Sequence, residues 1–249
     1  MDFDWRRPRH LLAVILLTMS FLLLIVASII SYFFQPFPTS SGLGNYTGTT
    51  QLFFEIYLVA FSLLFVVILM VVIPIIWYAL VNNLTPGKIV ERLRLQRQGL
   101  GQALLWGFVA AVAALALSVA LDVIIMRFGI DTTKLSNIPQ LLQIFPLPGL
   151  LVLITVQPIA EEIFFRGFLL EKISWFAGPA VAVVSSAILF GVAHLSYGVL
   201  YTAVMAAGLG LVFGIVVVRT KSLYSSIFAH ILVNVTSMVL YLAGKSMGM

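Results

Sequence analysis

The 249-residue sequence contains no cysteine, which excludes disulfides, thiolate metal sites and a cysteine nucleophile. Charge is almost as scarce: Asp, Glu, Lys and Arg make up 9% of the chain, against about 25% in an ordinary soluble domain. So few charges cannot clothe a water-exposed surface. With 61% hydrophobic residues and a mean hydropathy of +1.12, the composition is that of a polytopic membrane protein. There are only three histidines, and residues 35–51 hold no Lys or Arg. Neither a Gly-x-Ser-x-Gly elbow nor a His-Glu-x-x-His helix is present, so two common hydrolase signatures are missing.

What is there is a series of apolar runs, expected to cross the membrane at 11–34, 52–80, 103–126, 147–170, 180–195, 199–218 and 223–242. The first run has 24 residues, more than the ~7–15 of a signal-peptide core, and is read as a retained helix. The loop 35–51 carries an Asn45-Tyr46-Thr47 triplet of the glycosylation type. Pro74 is expected to interrupt the second span. Segment 81–101 interleaves Lys88, Arg92, Arg94 and Arg97 with Ile89, Val90, Leu93 and Leu95, as expected of a helix lying on an anionic membrane surface. That reading leaves nucleic acid without a role. In the sixth span Ala206, Gly210 and Gly214 recur every four residues, a face that lets helices approach closely.

Seven spans with a cytosolic N-terminus place Arg6, Arg7, Arg9, Lys88, Arg92, Arg94, Arg97, Lys172, Arg219 and Lys221 inside. Only Arg127, Lys134 and Lys245 fall outside, and ten against three follows the positive-inside rule. The expected organisation is an all-α protein of about seven transmembrane helices. Residues 1–146 would form a scaffold of three helices and a basic cytosolic loop, and 147–249 a catalytic core in the last four helices.

Within that core, Ala160-Glu161-Glu162-Ile163-Phe164-Phe165-Arg166-Gly167 puts three charges into an apolar run. Each costs at least about 2.5–3.5 kcal/mol at membrane depth, so such groups face protein or water. Glu162 and Arg166 are four apart and can pair on one helical face, leaving Glu161 available. His194 and His230 lie in later spans, and Asn234 shares a face with His230. A carboxylate beside an imidazole can deprotonate water, and a second imidazole with an amide can bind an oxyanion. Glu161, His194 and His230 would also make a zinc site with an open position. A buried structural ion pair and a proton pathway use the same residue types.

Glu161-Glu162-x-x-x-Arg166, Phe190-x-x-x-His194 and His230-x-x-x-Asn234, in this order on three spans, resemble the three motifs of the CPBP (Abi) family of CAAX-processing and bacteriocin-processing intramembrane proteases. The resemblance covers about residues 147–242. It implies that Glu161 activates water with help from His194, that His230 and Asn234 bind the oxyanion, and that Glu162, Arg166 and Phe190 support the site. The expected function is an endopeptidase of the cell membrane of a prokaryote. It would act on a membrane-anchored or lipidated peptide, among membrane lipids, with its active site open to the cytosolic side. The alternative is a non-proteolytic bacteriocin self-immunity or scaffolding protein. The family carries the name metalloprotease, so a divalent metal, zinc, is one option. A metal-free mechanism is the other, favoured because Asn234 beside His230 suits an oxyanion better than a zinc ion.

Overall fold

The computed structural model describes residues 3–34, 49–130 and 138–247, and these form helices without a strand. Asn45-Tyr46-Thr47, most of the 35–51 loop and Lys134 lie outside the described residues. We label the helices α1 (Pro8–Phe34), α2 (Thr49–Leu80), α3 (Pro86–Arg92), α4 (Leu100–Arg127) and α5 (Ile138–Ile144). A single apolar helical run then extends over Leu147–Tyr197, followed by α8 (Leu200–Thr220) and α9 (Leu223–Ser246). Six helices are thus long and apolar enough to cross a membrane.

The 51-residue run cannot be one straight crossing. At 1.5 Å per residue it would span about 76 Å, over twice the ~30 Å hydrocarbon core. It breaks at Gly178, whose φ of 81° and ψ of 166° lie outside helical space, and Pro179 starts the next limb. The limbs before and after the break are α6 (147–177) and α7 (179–193). They run antiparallel: the Ser186 hydroxyl donates to the Phe165 carbonyl at 2.8 Å across 21 residues, and the Phe165 and Phe190 rings lie 5.1 Å apart. Counting the two limbs separately gives about seven candidate crossings among the described residues.

Three π-helical turns punctuate the bundle, at Leu22–Val26, Ile68–Val72 and Ile163–Leu169. The second precedes Pro74, and α2 passes that proline without breaking. The expected interruption is absorbed as a change of helical pitch. The first two crossings are packed onto the rest: Leu24, Ile25, Leu69 and Met70 share one buried cluster with Phe164, Phe165 and Phe190.

One end of the bundle gathers the basic residues. There Glu171 accepts from Arg92 Nε at 3.0 Å and from the Tyr78 hydroxyl, with Lys172 Nζ 3.6 Å away. The N-terminal head joins this end through Phe3 stacked on Trp77 and Asp4 N–H donating to His10 Nδ1. Segment 81–101 differs from the expectation of a surface helix. Ile89 and Leu93 are buried in the same core cluster as Phe168 and Leu223. Leu223 N–H donates to the Arg94 carbonyl at 3.0 Å, and the Tyr224 hydroxyl to the Leu95 carbonyl. The segment's apolar side therefore caps the bundle, since Leu93 gains more contact there than against mobile lipid.

Small residues bring α7 and α8 into close contact, as expected from the four-residue repeat: a Cβ on Gly210 would lie 3.0 Å from Ala187 Cα, and one on Gly214 3.1 Å from Val183 Cγ1. A side-chain carbon on Gly191 would lie 2.6 Å from the Ala203 carbonyl oxygen and 2.8 Å from Ala207 Cβ. Backbone is the obstacle, so only separation of α7 from α8 relieves it. Gly191→Ala is expected to lose about 1–3 kcal/mol of stability, read as a lower melting temperature in detergent. Gly101→Ala, which meets nothing within 4 Å, is expected to be neutral or mildly stabilising.

Candidate active site

Polar residues of α6, α7 and α9 meet inside the bundle. Glu162 and Arg166 form the innermost pair, with Arg166 Nη1 3.0 Å from Glu162 Oε1 and both side chains fully buried. Three features of the surroundings make room for a buried guanidinium. Its carbon sits 4.3 Å from the Phe190 ring centroid, a cation–π contact. Phe213 and Phe165 flank it at 5.7 and 5.8 Å. Gly210 leaves the space that Arg166 Nη2 occupies, since a Cβ there would lie 2.9 Å from it. Residues 163–169 are π-helical, and such turns recur at functional sites.

His230 bridges the two carboxylates. Its Nδ1 is 3.0 Å from Glu162 Oε1 and its Nε2 is 3.7 Å from Glu161 Oε2, with the ring only 4% exposed. Glu162, ionised beside Arg166, accepts from Nδ1–H, so the ring presents Nε2 to Glu161. The chain Arg166–Glu162–His230 thereby orients an imidazole towards the second carboxylate. Phe213 and Phe190 hold the ring with centroids at 5.1 and 5.7 Å.

His194 closes α7 and opens the 3-10 turn His194–Tyr197. Its Nδ1 lies 2.8 Å from the Phe190 carbonyl oxygen, which can only accept. Nδ1 is therefore the protonated nitrogen of the neutral ring, and Nε2 carries the lone pair. The half-buried imidazole lies within electrostatic reach of both Glu161 and His230. Phe190 lies against its ring, centroids 4.4 Å apart, and so adjoins Arg166, His194 and His230 alike.

Asn234 shows how α6 is locally built. Pro158 has no N–H, which frees the carbonyl of Ile154 four residues earlier. Asn234 Nδ2 from α9 donates to that carbonyl at 3.4 Å, using one of its two N–H bonds. Two neighbours escape motif reading. Gln157 Nε2 donates to Glu161 Oε1 at 3.0 Å, and Tyr197 lies within electrostatic reach of Glu161 and beside Gln157. Gln157 is one turn before Glu161 in an apolar run, the one signal that could have flagged it.

The structure thus brings Glu161, Glu162, Arg166, Phe190, His194 and His230 together, with Asn234 anchored to the adjoining turn of α6. Among the described residues no three His, Asp or Glu side chains converge as metal ligands would. His230 Nδ1 is committed to Glu162, and Glu161 Oε1 to Gln157. These supporting contacts leave His230 Nε2, His194 Nε2 and Glu161 Oε2 as the atoms that would hold a zinc ion were one bound.

Access is asymmetric. Towards the basic end the site is covered by Arg166, Phe168, Leu170 and Leu223, none more than 1% exposed. Gln157, His194 and Asn234, all half-buried, lie farther from that end than Glu161 does.

The fold and site define a class: a polytopic all-α membrane protein with a buried carboxylate–imidazole centre. Residues 143–236 match the family model described as type II CAAX prenyl endopeptidase Rce1-like, so this part of the chain is similar to that family. The chain is also similar to "Putative membrane peptidase YdiL" of Bacillus subtilis (strain 168), with 30% identity over 156 residues. That alignment covers 59% of this chain and 60% of the relative, so the chain spans less than two thirds of the relative's length. No solved structure matches it significantly.

The buried pair makes a test of its own. Arg166→Ala strands the Glu162 carboxylate and is expected to cost about 3–5 kcal/mol. Arg166→Met combined with Glu162→Gln removes both charges and is expected to recover most of that loss. A double-mutant cycle on detergent melting temperatures reads the coupling, and additive effects would disprove it.

Proposed function

We propose that the protein is an intramembrane endopeptidase that cleaves a membrane-anchored or lipidated peptide with a water activated by Glu161. The observation that carries this reading is the placement of Glu161 and His230 3.7 Å apart, with His230 oriented from behind by Glu162 and Arg166. A structural ion pair needs only Glu162 and Arg166. It does not explain a second buried carboxylate facing a second group.

In the proposed reaction Glu161 takes a proton from water, and the His194 Nε2 lone pair assists. The hydroxide oxygen attacks the peptide carbonyl carbon, and its oxygen becomes an oxyanion. His230, from Nε2, and the second N–H of Asn234 bind that oxyanion. Collapse breaks the C–N bond, and the proton held by Glu161 passes to the leaving amine. Glu162 and Arg166 keep His230 in the required orientation. Burial strengthens each of these contacts, because no bulk water screens them. Substrate would reach Glu161 past His194 and Asn234, the half-buried rim of the site.

The basic end is taken as cytosolic, in accordance with the positive-inside rule. The membrane is taken as that of a prokaryotic cell, in line with the Bacillus subtilis relative. CAAX-type or bacteriocin-type peptides are the substrate classes to try first.

The deciding experiment is cleavage of a lipidated peptide library in proteoliposomes. Glu161→Gln is expected to abolish cleavage with helicity and membrane insertion unchanged, because the amide keeps shape but not basicity. Asn234→Ala is expected to slow turnover by about 10²–10³-fold. Chelator treatment is expected to leave turnover unchanged. Wild-type turnover in Glu161→Gln, or a non-proteolytic phenotype that survives it, would refute the water-activation role.

A further inference from the structure

A cavity of about 680 Å³ lies apart from the site, in the groove between α4 and α8 near the basic end. Val212, Ile215, Val216 and Arg219 of α8 turn towards this groove. Gly210 and Phe213, on the other side of the same helix, face Arg166 and His230. The two sites therefore occupy opposite faces of α8.

The basic end of the groove holds three cations: Arg94, Arg219 and Lys221. Among the described residues none has a carboxylate within ion-pair distance; the nearby Glu171 is engaged by Arg92, Lys172 and Tyr78. Arg94 Nη1 reaches only the Val217 carbonyl, at 3.4 Å. Both Arg94 and Lys221 have positive φ, 58° and 54°, a conformation that side-chain-bearing residues seldom adopt without cause. Ser222 lines the same end. It is 9% exposed, and its hydroxyl has no hydrogen-bond partner among the described residues. Gly99 and Gln102 place the first turn of the 28-residue α4 there as well, where free amide N–H groups favour an anion.

The other end of the groove is hydrocarbon. Trp106, Val109 and Ile215 are 48%, 47% and 50% exposed on lipid-facing surfaces of membrane-crossing helices. A free anion would leave this wall uncovered, and a purely apolar ligand would leave three cations and a buried hydroxyl unmatched. We infer that the groove binds one anionic phospholipid. Its phosphate sits on Arg94, Arg219, Lys221 and Ser222, and an acyl chain lies along Trp106, Val109 and Ile215.

The test is native mass spectrometry of the full chain released from nanodiscs of phosphatidylcholine doped with phosphatidylglycerol. One phosphatidylglycerol per chain is expected to be retained in preference to phosphatidylcholine. Arg219→Gln with Lys221→Gln, both exposed side chains, is expected to weaken retention about 10- to 30-fold, since each cation near an anionic headgroup contributes roughly fivefold. Ala113→Phe, which fills the apolar wall without changing charge, is expected to weaken it too. Arg6→Gln with Arg7→Gln removes the same charge from the N-terminal head and is expected to change nothing. Equal retention of the two lipids, undiminished retention in both groove variants, or equal loss in the Arg6 and Arg7 variant overturns the assignment. Displacement of the lipid by millimolar inorganic phosphate would make this a free-anion site and overturn it equally.

Discussion

Arg166 and Glu162 meet where neither touches water, and the centre of the molecule is arranged around keeping them there. An ion pair removed from solvent forfeits hydration that its own attraction repays only with help. The help comes from several helices: the Phe190 ring under the guanidinium, the missing side chain of Gly210, and the His230 Nδ1–H on the shared carboxylate oxygen. Each supporting group lies on a different helix, so the pair ties α6, α7, α8 and α9 into one geometry. Even so, Arg166 Nε and Nη2 and Glu162 Oε2 have no hydrogen-bond partner among the described residues. A buried polar group left partly unsatisfied costs stability, and its persistence suggests use for more than cohesion.

The consequence for chemistry is orientation. With Glu162 held by Arg166, His230 is left one direction in which to act, and that direction is Glu161. His194 is likewise fixed, by the Phe190 carbonyl, with its basic nitrogen outward. In both rings one nitrogen is tied to a supporting acceptor and the other is free for the reaction. Such preorganisation is what lets charge develop at low reorganisation cost in an apolar interior. Pro158 extends the same logic to the backbone: by freeing the Ile154 carbonyl, it provides the anchor that Asn234 uses.

Residues spaced one helical turn apart were legible in the chain, and longer-range partners were not. Glu162 with Arg166 and His230 with Asn234 follow from the 3.6-residue period alone. The motif order on three spans pointed to the family whose model residues 143–236 match. The capping role of segment 81–101 was hidden, because its alternation of basic and apolar residues suits a membrane surface as well as a helix-bundle end. Gln157 was overlooked because a lone polar residue near a charged stretch carries no pattern of its own.

By itself the sequence determined the polytopic all-α class of the protein and which side chains would be expensive to bury, since both depend on composition and local spacing. Tertiary structure decided the rest. The reversal at Gly178 sets how far His194 stands from Glu161, and no count of residues supplies that register. The ring nitrogen that His230 turns to each glutamate depends on contacts across 68 and 69 positions in the chain. Whether the three candidate ligands converge, and from which end the site is covered, depend on the packing of four helices. Helix propensity and hydropathy act over a turn or a span, whereas orientation and access arise from how separate helices fill the space between them.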